Sequence, residues 1–148
     1  MLFVNNLEQN GSDEQRSRFL PAACEGSTIA GMCMSEPGAG TDVLGMTTKA
    51  VPSPDGSSFK IDGAKMWITN GTADGLTTGD VFLVYARTGP GRQDVSMFIV
   101  EKARKTPKHH GMTRPGMPGF ELGQKIEGKC GMRASMTAEL VFDGVEAS

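Results

Sequence analysis

Two short segments hold the groups best suited to meeting a ligand. The first runs Met32, Cys33, Met34, Ser35, Glu36, Pro37, Gly38, Ala39, Gly40, Thr41, Asp42. It reads as an apolar strand that breaks into a loop of glycines and small hydroxyls, where backbone N–H groups can approach a ligand without obstructing side chains. The second, Ala64 to Gly71, holds the only tryptophan, Trp67, with Ile68 and then Thr69. Strand residues two apart face the same way, so indole and hydroxyl can address one ligand. A flat aromatic beside a hydrogen-bond donor suits a planar heteroaromatic ring. Each segment also has a plainer reading, as a strand-to-loop turn and as a core tryptophan near a strand end.

Several chemistries are excluded by spacing. After Gly38 and Gly40 the dinucleotide fingerprint asks for a third glycine at position 43, but Val43 stands there and Gly45 comes too late. Gly123 to Cys130 nearly spells a phosphate-binding loop, yet Cys130 replaces the hydroxyl that should ligate magnesium. His109 and His110 are adjacent, not at the helical spacing of a two-histidine metal site, and support no Ser-His-Asp grouping. No metal site is expected. Cys24, Cys33 and Cys130 are odd in number and read as reduced thiols. With 15 Lys+Arg against 17 Asp+Glu, nothing global points to nucleic acid. No apolar run is long enough to suggest a membrane span, and the N-terminus lacks the pattern of a signal peptide.

The elements that must position the two segments follow from pattern. Leu2, Phe3, Val4 and Leu7 form one helical face that ends near Asn10 and Gly11. Ser12 and Gln15 spell a capping box for a second helix, which Pro21 is expected to interrupt. From residue 29 onward, strands are expected at Ile29–Ser35, Val43–Val51, Phe59–Asp62, Lys65–Thr69, Val81–Arg87, Val95–Glu101 and Ala138–Phe142. Asp62-Gly63 reads as a type I′ hairpin turn. The 20 glycines and 8 prolines fit many short elements. The expected fold is therefore mainly β, an antiparallel β-barrel-like domain preceded by short α-helices.

Taken in order, Met34 to Asp42, Lys65 to Gly71, and Gly131-Met132-Arg133-Ala134-Ser135 followed by Ala138 to Phe142 closely resemble the acyl-CoA dehydrogenase family. Phe19-Leu20-Pro21 extends the resemblance over nearly the whole chain, and Val100 to Lys102 with Gly116 to Phe120 look most like isovaleryl-CoA and other short branched-chain members. The resemblance implies that residues 1–28 are the end of a helical N-terminal domain and 29–148 the β-barrel middle domain. The C-terminal four-helix domain, with the catalytic base, is expected outside these residues. Gly75–Gly79 and about Ala103–Thr113 look like insertions relative to the branched-chain members.

Resemblance also implies roles. Met32, Cys33, Met34, Ser35, Glu36, Pro37, Gly38, Ala39, Gly40 and Thr41 would form a flavin-facing segment, with Thr41 also near acyl-CoA. Trp67, Ile68 and Thr69 would line the rest of the flavin site, the Thr69 hydroxyl aimed at flavin N5. Arg92, in the Gly89 to Gln93 loop, falls near the expected path of CoA. The implied cofactor is FAD and the implied reaction α,β-dehydrogenation of an acyl-CoA thioester. An electron-transferring flavoprotein would accept the electrons, and a homotetramer would be the assembly. The implied compartment is the mitochondrial matrix in a eukaryote and the cytoplasm in a bacterium. Alternatives are an acyl-CoA oxidase-type relative and a non-catalytic β-barrel binding module.

Overall fold

The order of elements explains how two segments 30 residues apart come together. The computed structural model describes residues 1–102 and 118–147. Helices α1 (Leu2–Asn10) and α2 (Asp13–Glu25) precede β1 (Ala30–Cys33), a short 3-10 turn at Val43–Gly45, β2 (Lys49–Pro52), β3 (Phe59–Thr69), β4 (Val81–Arg87), β5 (Val95–Glu101), β6 (Phe120–Lys125) and β7 (Thr137–Ala147). The expected loop from Ala103 with its two histidines, and the start of the Gly116 to Phe120 segment, lie outside the described residues.

All seven strands join one curled sheet in the order β1-β4-β2-β3-β7-β6, with β5 paired to β4. The fold is mainly β, as expected, but the sheet is mixed. β1 runs parallel to β4, Ala30 opposite Val81 and Cys33 opposite Val84. A parallel pair needs a long return connection, which the β2–β3 meander between β1 and β4 supplies. The other long ladders, β3–β7, β4–β5 and β6–β7, are antiparallel.

The sheet buries side chains on both sides of β4. Phe82, Val84 and Ala86 join Ile61, Ile68, Phe98, Phe120, Leu140 and Phe142 in the larger core. Val81 and Leu83 face the other way, against Phe3, Leu7 and Phe19 of the two helices. A strand covered on both faces reads as a continuous apolar run, which accounts for Val81 to Ala86. Each of Val81, Phe82, Leu83 and Val84 contributes roughly 1.5–3 kcal/mol on full burial. The helices therefore act as a cap over the outer face of β4 and β5.

Local rules set the helix ends. Gly11 N–H closes α1 onto the carbonyl of Leu7. The capping box is formed: Gln15 N–H donates to Ser12 Oγ at 3.2 Å, and Ser12 N–H to Gln15 Oε1 at 3.0 Å. Pro21 does not end α2, contrary to expectation. The helix continues to Glu25 and stops at Gly26, whose φ of 77° suits glycine. Packing of Phe19, Leu20 and Ala23 against the sheet offsets the one backbone hydrogen bond that Pro21 lacks.

Three strand expectations are corrected. Asp62-Gly63 is not a hairpin turn, because β3 runs unbroken through it along the 11-residue β7. The local irregularity is instead an extra residue on β7 between Val145 and Phe142, beside Gly144 at φ 63°. Gly144 N–H donates to Asp62 Oδ1 at 2.8 Å, so the Asp-Gly pair receives a bulge in place of making a turn. Val43–Val51 is not one strand: Asp42 to Met46 coils into the 3-10 turn, and β2 begins only at Lys49. β6 was not expected, since Phe-Glu-Leu-Gly-Gln-Lys carries few β-forming residues and owes its place to pairing with β7.

Candidate functional site

β1 and its continuation lie against the far end of β3. Asn70 Nδ2 donates to Ala30 O at 3.0 Å, and Met66 N–H donates to Ser35 O at 2.9 Å. The two motifs singled out in the sequence thus run antiparallel to each other, side by side. Asn70 itself has φ 62°, a conformation asparagine tolerates better than most residues.

Trp67 occupies the left-handed region as well, at φ 60°. Between Lys65 and Ile68, β3 has one more residue than the facing stretch from Leu140 to Ala138. This bulge keeps both Lys65 and Ile68 buried while Trp67 and Thr69 are exposed on either side of Ile68. Trp67 is 51% exposed. A large aromatic in the left-handed region is costly, and such strain clusters at functional sites.

Beneath the loop is a buried ion pair. Lys65 is 0% and Glu36 3% exposed, with Lys65 Nζ 3.0 Å from Glu36 Oε1. The ammonium also donates to Met34 O at 3.1 Å and contacts Met46 Sδ at 3.8 Å. Glu36 accepts from Thr47 N–H at 2.7 Å, Thr47 Oγ1 at 2.8 Å and Thr48 N–H at 2.9 Å. Burial pushes the Glu36 carboxyl up, but hydrogen bonds from Thr47, Thr48 and Lys65 outweigh it and hold it down at about 2. Burial lowers the Lys65 ammonium, and Glu36 pulls against that shift. The pair ties three chain segments together: the loop after β1, the approach to β2, and β3.

Glu36 and Ala39 also exchange backbone hydrogen bonds, at 3.0 and 3.1 Å, folding Pro37 and Gly38 into a tight tip. A Cβ added at Gly38 or Gly40 would meet nothing within 4 Å, so this backbone is open to a ligand. A cleft of about 270 Å³ lies between the tip and Gly45, Thr47 and Ala64. It falls short of the roughly 300–1,000 Å³ of a typical ligand pocket, so the tip borders an open shelf.

The predicted site residues divide by environment. Ser35, Thr41, Trp67 and Thr69 lie at least partly in the open. Cys33 is wholly buried in the larger core, where burial pushes its thiol far above the usual range. Ile68 is in the same core. Met32 packs toward the helices, its sulfur 3.6 Å from Asn6 Nδ2, and Met34 is half-buried. Cys33, Met32 and Ile68 can therefore offer a ligand on the shelf their backbone and not their side chains. Lys65 stood in the motif without an assigned role, because lysine in a strand normally reads as exposed.

Next to the shelf, the Gly89 to Gln93 loop is held by Arg87. Its guanidinium donates to Leu44 O at 2.6 Å, Met46 O at 3.2 Å and Gly91 O at 2.5 Å. Arg92 pairs with Asp42, both well exposed, bringing the loop beside Thr41. The near-phosphate-loop segment is elsewhere: Gly123 lies within β6 and Gly128 in the loop beyond it, and no helix follows among the described residues.

The family model described as the acyl-CoA dehydrogenase middle domain matches residues 31–145, a span that takes in the whole shelf. The chain belongs to the acyl-CoA dehydrogenase family. It is 38% identical over 146 residues to mitochondrial isovaleryl-CoA dehydrogenase of Pongo abelii, covering 96% of this chain and 30% of that protein. Among solved structures, butyryl-CoA dehydrogenase from Megasphaera elsdenii superposes with a TM-score of 0.78 at 32% identity, over 98% of this chain and 33% of that one. A glutaryl-CoA dehydrogenase from Mycobacterium smegmatis in complex with FADH2 gives 0.77 at 32% identity, over 98% and 31%. The chain thus spans about a third of the length of these acyl-CoA dehydrogenases.

Proposed function

We propose that this middle domain presents the flavin- and acyl-CoA-facing surface of an FAD-dependent acyl-CoA dehydrogenase acting on a short branched-chain thioester. The observation that carries the reading is the shelf itself. Among the described residues, the hydroxyls of Ser35, Thr41 and Thr69 and the indole N–H of Trp67 donate no hydrogen bond to protein. They lie along two adjoining segments fixed by the Met66–Ser35 bond. Open glycine backbone, a flat exposed ring and unengaged donors are what a planar heteroaromatic with polar edges requires.

FAD, when bound, supplies the acceptor for hydride from the β carbon of the thioester. The residues here supply placement and polarity. Ser35 and the backbone around Met34 would hold one polar edge of the ring, and Thr69 would donate beside the position that receives hydride. Trp67 would shield that edge from water. Thr41 and Arg92 would meet the CoA moiety, Arg92 exchanging Asp42 for a phosphate. The base that removes the α proton is not assigned to any of these residues. An electron-transferring flavoprotein would take up the electrons. Similarity to a mitochondrial enzyme supports a mitochondrial setting if the host is a eukaryote.

The test is titration of the natural polypeptide carrying this sequence with FAD, followed by isovaleryl-CoA under anaerobic conditions. The expected result is quenched flavin fluorescence on binding and bleaching of the visible flavin band on adding thioester. FAD binding without bleaching by any acyl-CoA would leave a binding module and overturn the enzymatic reading.

A further inference from the structure

The buried pair beneath the shelf does more than hold the fold. Lys65 Nζ donates to the carbonyl of Met34 at 3.1 Å, and that carbonyl belongs to the peptide unit whose N–H is that of Ser35. In a trans peptide the C=O and N–H point in opposite directions. With the Met34 carbonyl turned inward onto the ammonium, the Ser35 N–H is turned away from the core. Among the described residues it donates to no protein acceptor, whereas the neighbouring Glu36 N–H is taken by Ala39 O.

We propose that Lys65 is a positioning residue for flavin chemistry: through the Met34–Ser35 peptide it orients and polarises the Ser35 N–H toward the cofactor. This rests on the flavin reading of the shelf. A cation on the carbonyl end of an amide strengthens its N–H as a donor, because linked hydrogen bonds polarise one another in a low-dielectric interior. Glu36 is the counter-ion that lets the charge stay buried, and it fixes the ammonium at 3.0 Å. An N–H so directed favours whichever flavin state carries more negative charge on the facing edge, which is the reduced state. The effect reaches the cofactor through one peptide, with no contact from Lys65 itself.

The decisive variant is Glu36→Gln/Lys65→Met, which removes both charges while keeping the shape of Glu36 and all but the last atom of the lysine chain. In the FAD-loaded natural polypeptide, the preference for reduced over oxidised flavin should fall about tenfold, which is about 30 mV for a two-electron couple. A role confined to folding would lower the melting temperature and leave the potential of bound flavin where it was. If the apolar replacement does not fold, Glu36→Gln/Lys65→Gln keeps a neutral donor in the site, and its potential should shift the same way by a smaller amount. An unchanged potential in a folded, FAD-bound variant overturns the role of Lys65 while leaving the flavin reading intact. Failure of the unsubstituted protein to bind FAD overturns both.

Discussion

Lys65 and Glu36 meet 3.0 Å apart in a part of the molecule from which both are almost wholly excluded from solvent. Every oxygen of Glu36 is engaged, and the ammonium of Lys65 has three partners. Removing one member leaves the other as an uncompensated buried group. Glu36→Gln alone is expected to cost about 3–5 kcal/mol of stability. Chemical denaturation at neutral pH checks this, and a loss below about 1 kcal/mol would mean that the pair is solvated in solution.

The same carboxylate sets a pH dependence. Its folded-state pKa of about 2 lies below the ordinary 4.5, so the folded state favours the ionised form. Its stabilising contribution is full above 4.5 and is lost as pH falls through the folded value. The stability gap between wild type and Glu36→Gln should therefore narrow from about pH 4.5 downward. A gap that stayed constant to about pH 3 would show that Glu36 does not carry the linkage.

Gly63→Ala probes the packing that supports the pair. An added Cβ at Gly63 would lie 2.5 Å from Thr48 Oγ1 and 2.7 Å from Thr48 Cα, at φ 148°. Thr48 N–H is one of the donors to Glu36, so the clash pushes directly on the ion-pair cage. Overpacking of this kind costs roughly 1–3 kcal/mol. The measurement is the denaturation midpoint, and a neutral result would require β3 and the approach to β2 to part freely.

Thr69→Val separates hydroxyl from shape. The residue is exposed on β3, and valine keeps its branched volume and strand preference, so folding should change little. If the hydroxyl serves the bound flavin, substrate reduction should slow by about tenfold to a hundredfold, below the effect of a true oxyanion donor because N5 is not an oxyanion. Stopped-flow reduction of the FAD-loaded protein reads this. An unchanged rate would leave Thr69 as an ordinary strand residue.

Arg92→Ala tests the neighbouring loop. Its ion pair with Asp42 is exposed on both sides, so the stability change should be under about 1 kcal/mol. The acyl-CoA KM should rise while FAD content stays the same, since a phosphate partner would be lost and no shelf residue altered. Equal KM values for variant and wild type would remove Arg92 from the substrate path.

Much of this site was legible in the sequence because its signals are local. Glycines after an apolar strand and a tryptophan two residues before a threonine single out the two segments that the fold sets side by side, although each alone reads equally as a turn and a core tryptophan. The capping box at Ser12 and Gln15 is likewise a four-residue signal. What escaped was decided across strands. Asp62-Gly63 has the composition of a turn, yet the long ladder between β3 and β7 outweighs it. Phe120–Lys125 becomes a strand because β7 offers an edge, and Lys65 becomes a core residue because Glu36 waits 29 positions earlier. A partner brought by tertiary structure leaves no trace in local pattern.

The surplus residue in β3 can be seen as a change of allegiance for one amide. Lys65 and Ile68 keep their places opposite β7, while Met66, between them, turns its N–H to Ser35 on the other side. Deleting Met66 would restore plain alternation: Lys65 in, Trp67 out, Ile68 in, Thr69 out. Every side chain would keep its side of the sheet, and a comparison of buried and exposed positions would register no loss. The stitch between the two motifs would nevertheless be gone. In this family member a one-residue irregularity acts as a joint, so shortening this strand, even with its sidedness preserved, removes its backbone tie to the loop after β1 and leaves side chains alone, Lys65 with Glu36 and Asn70, to hold the two together.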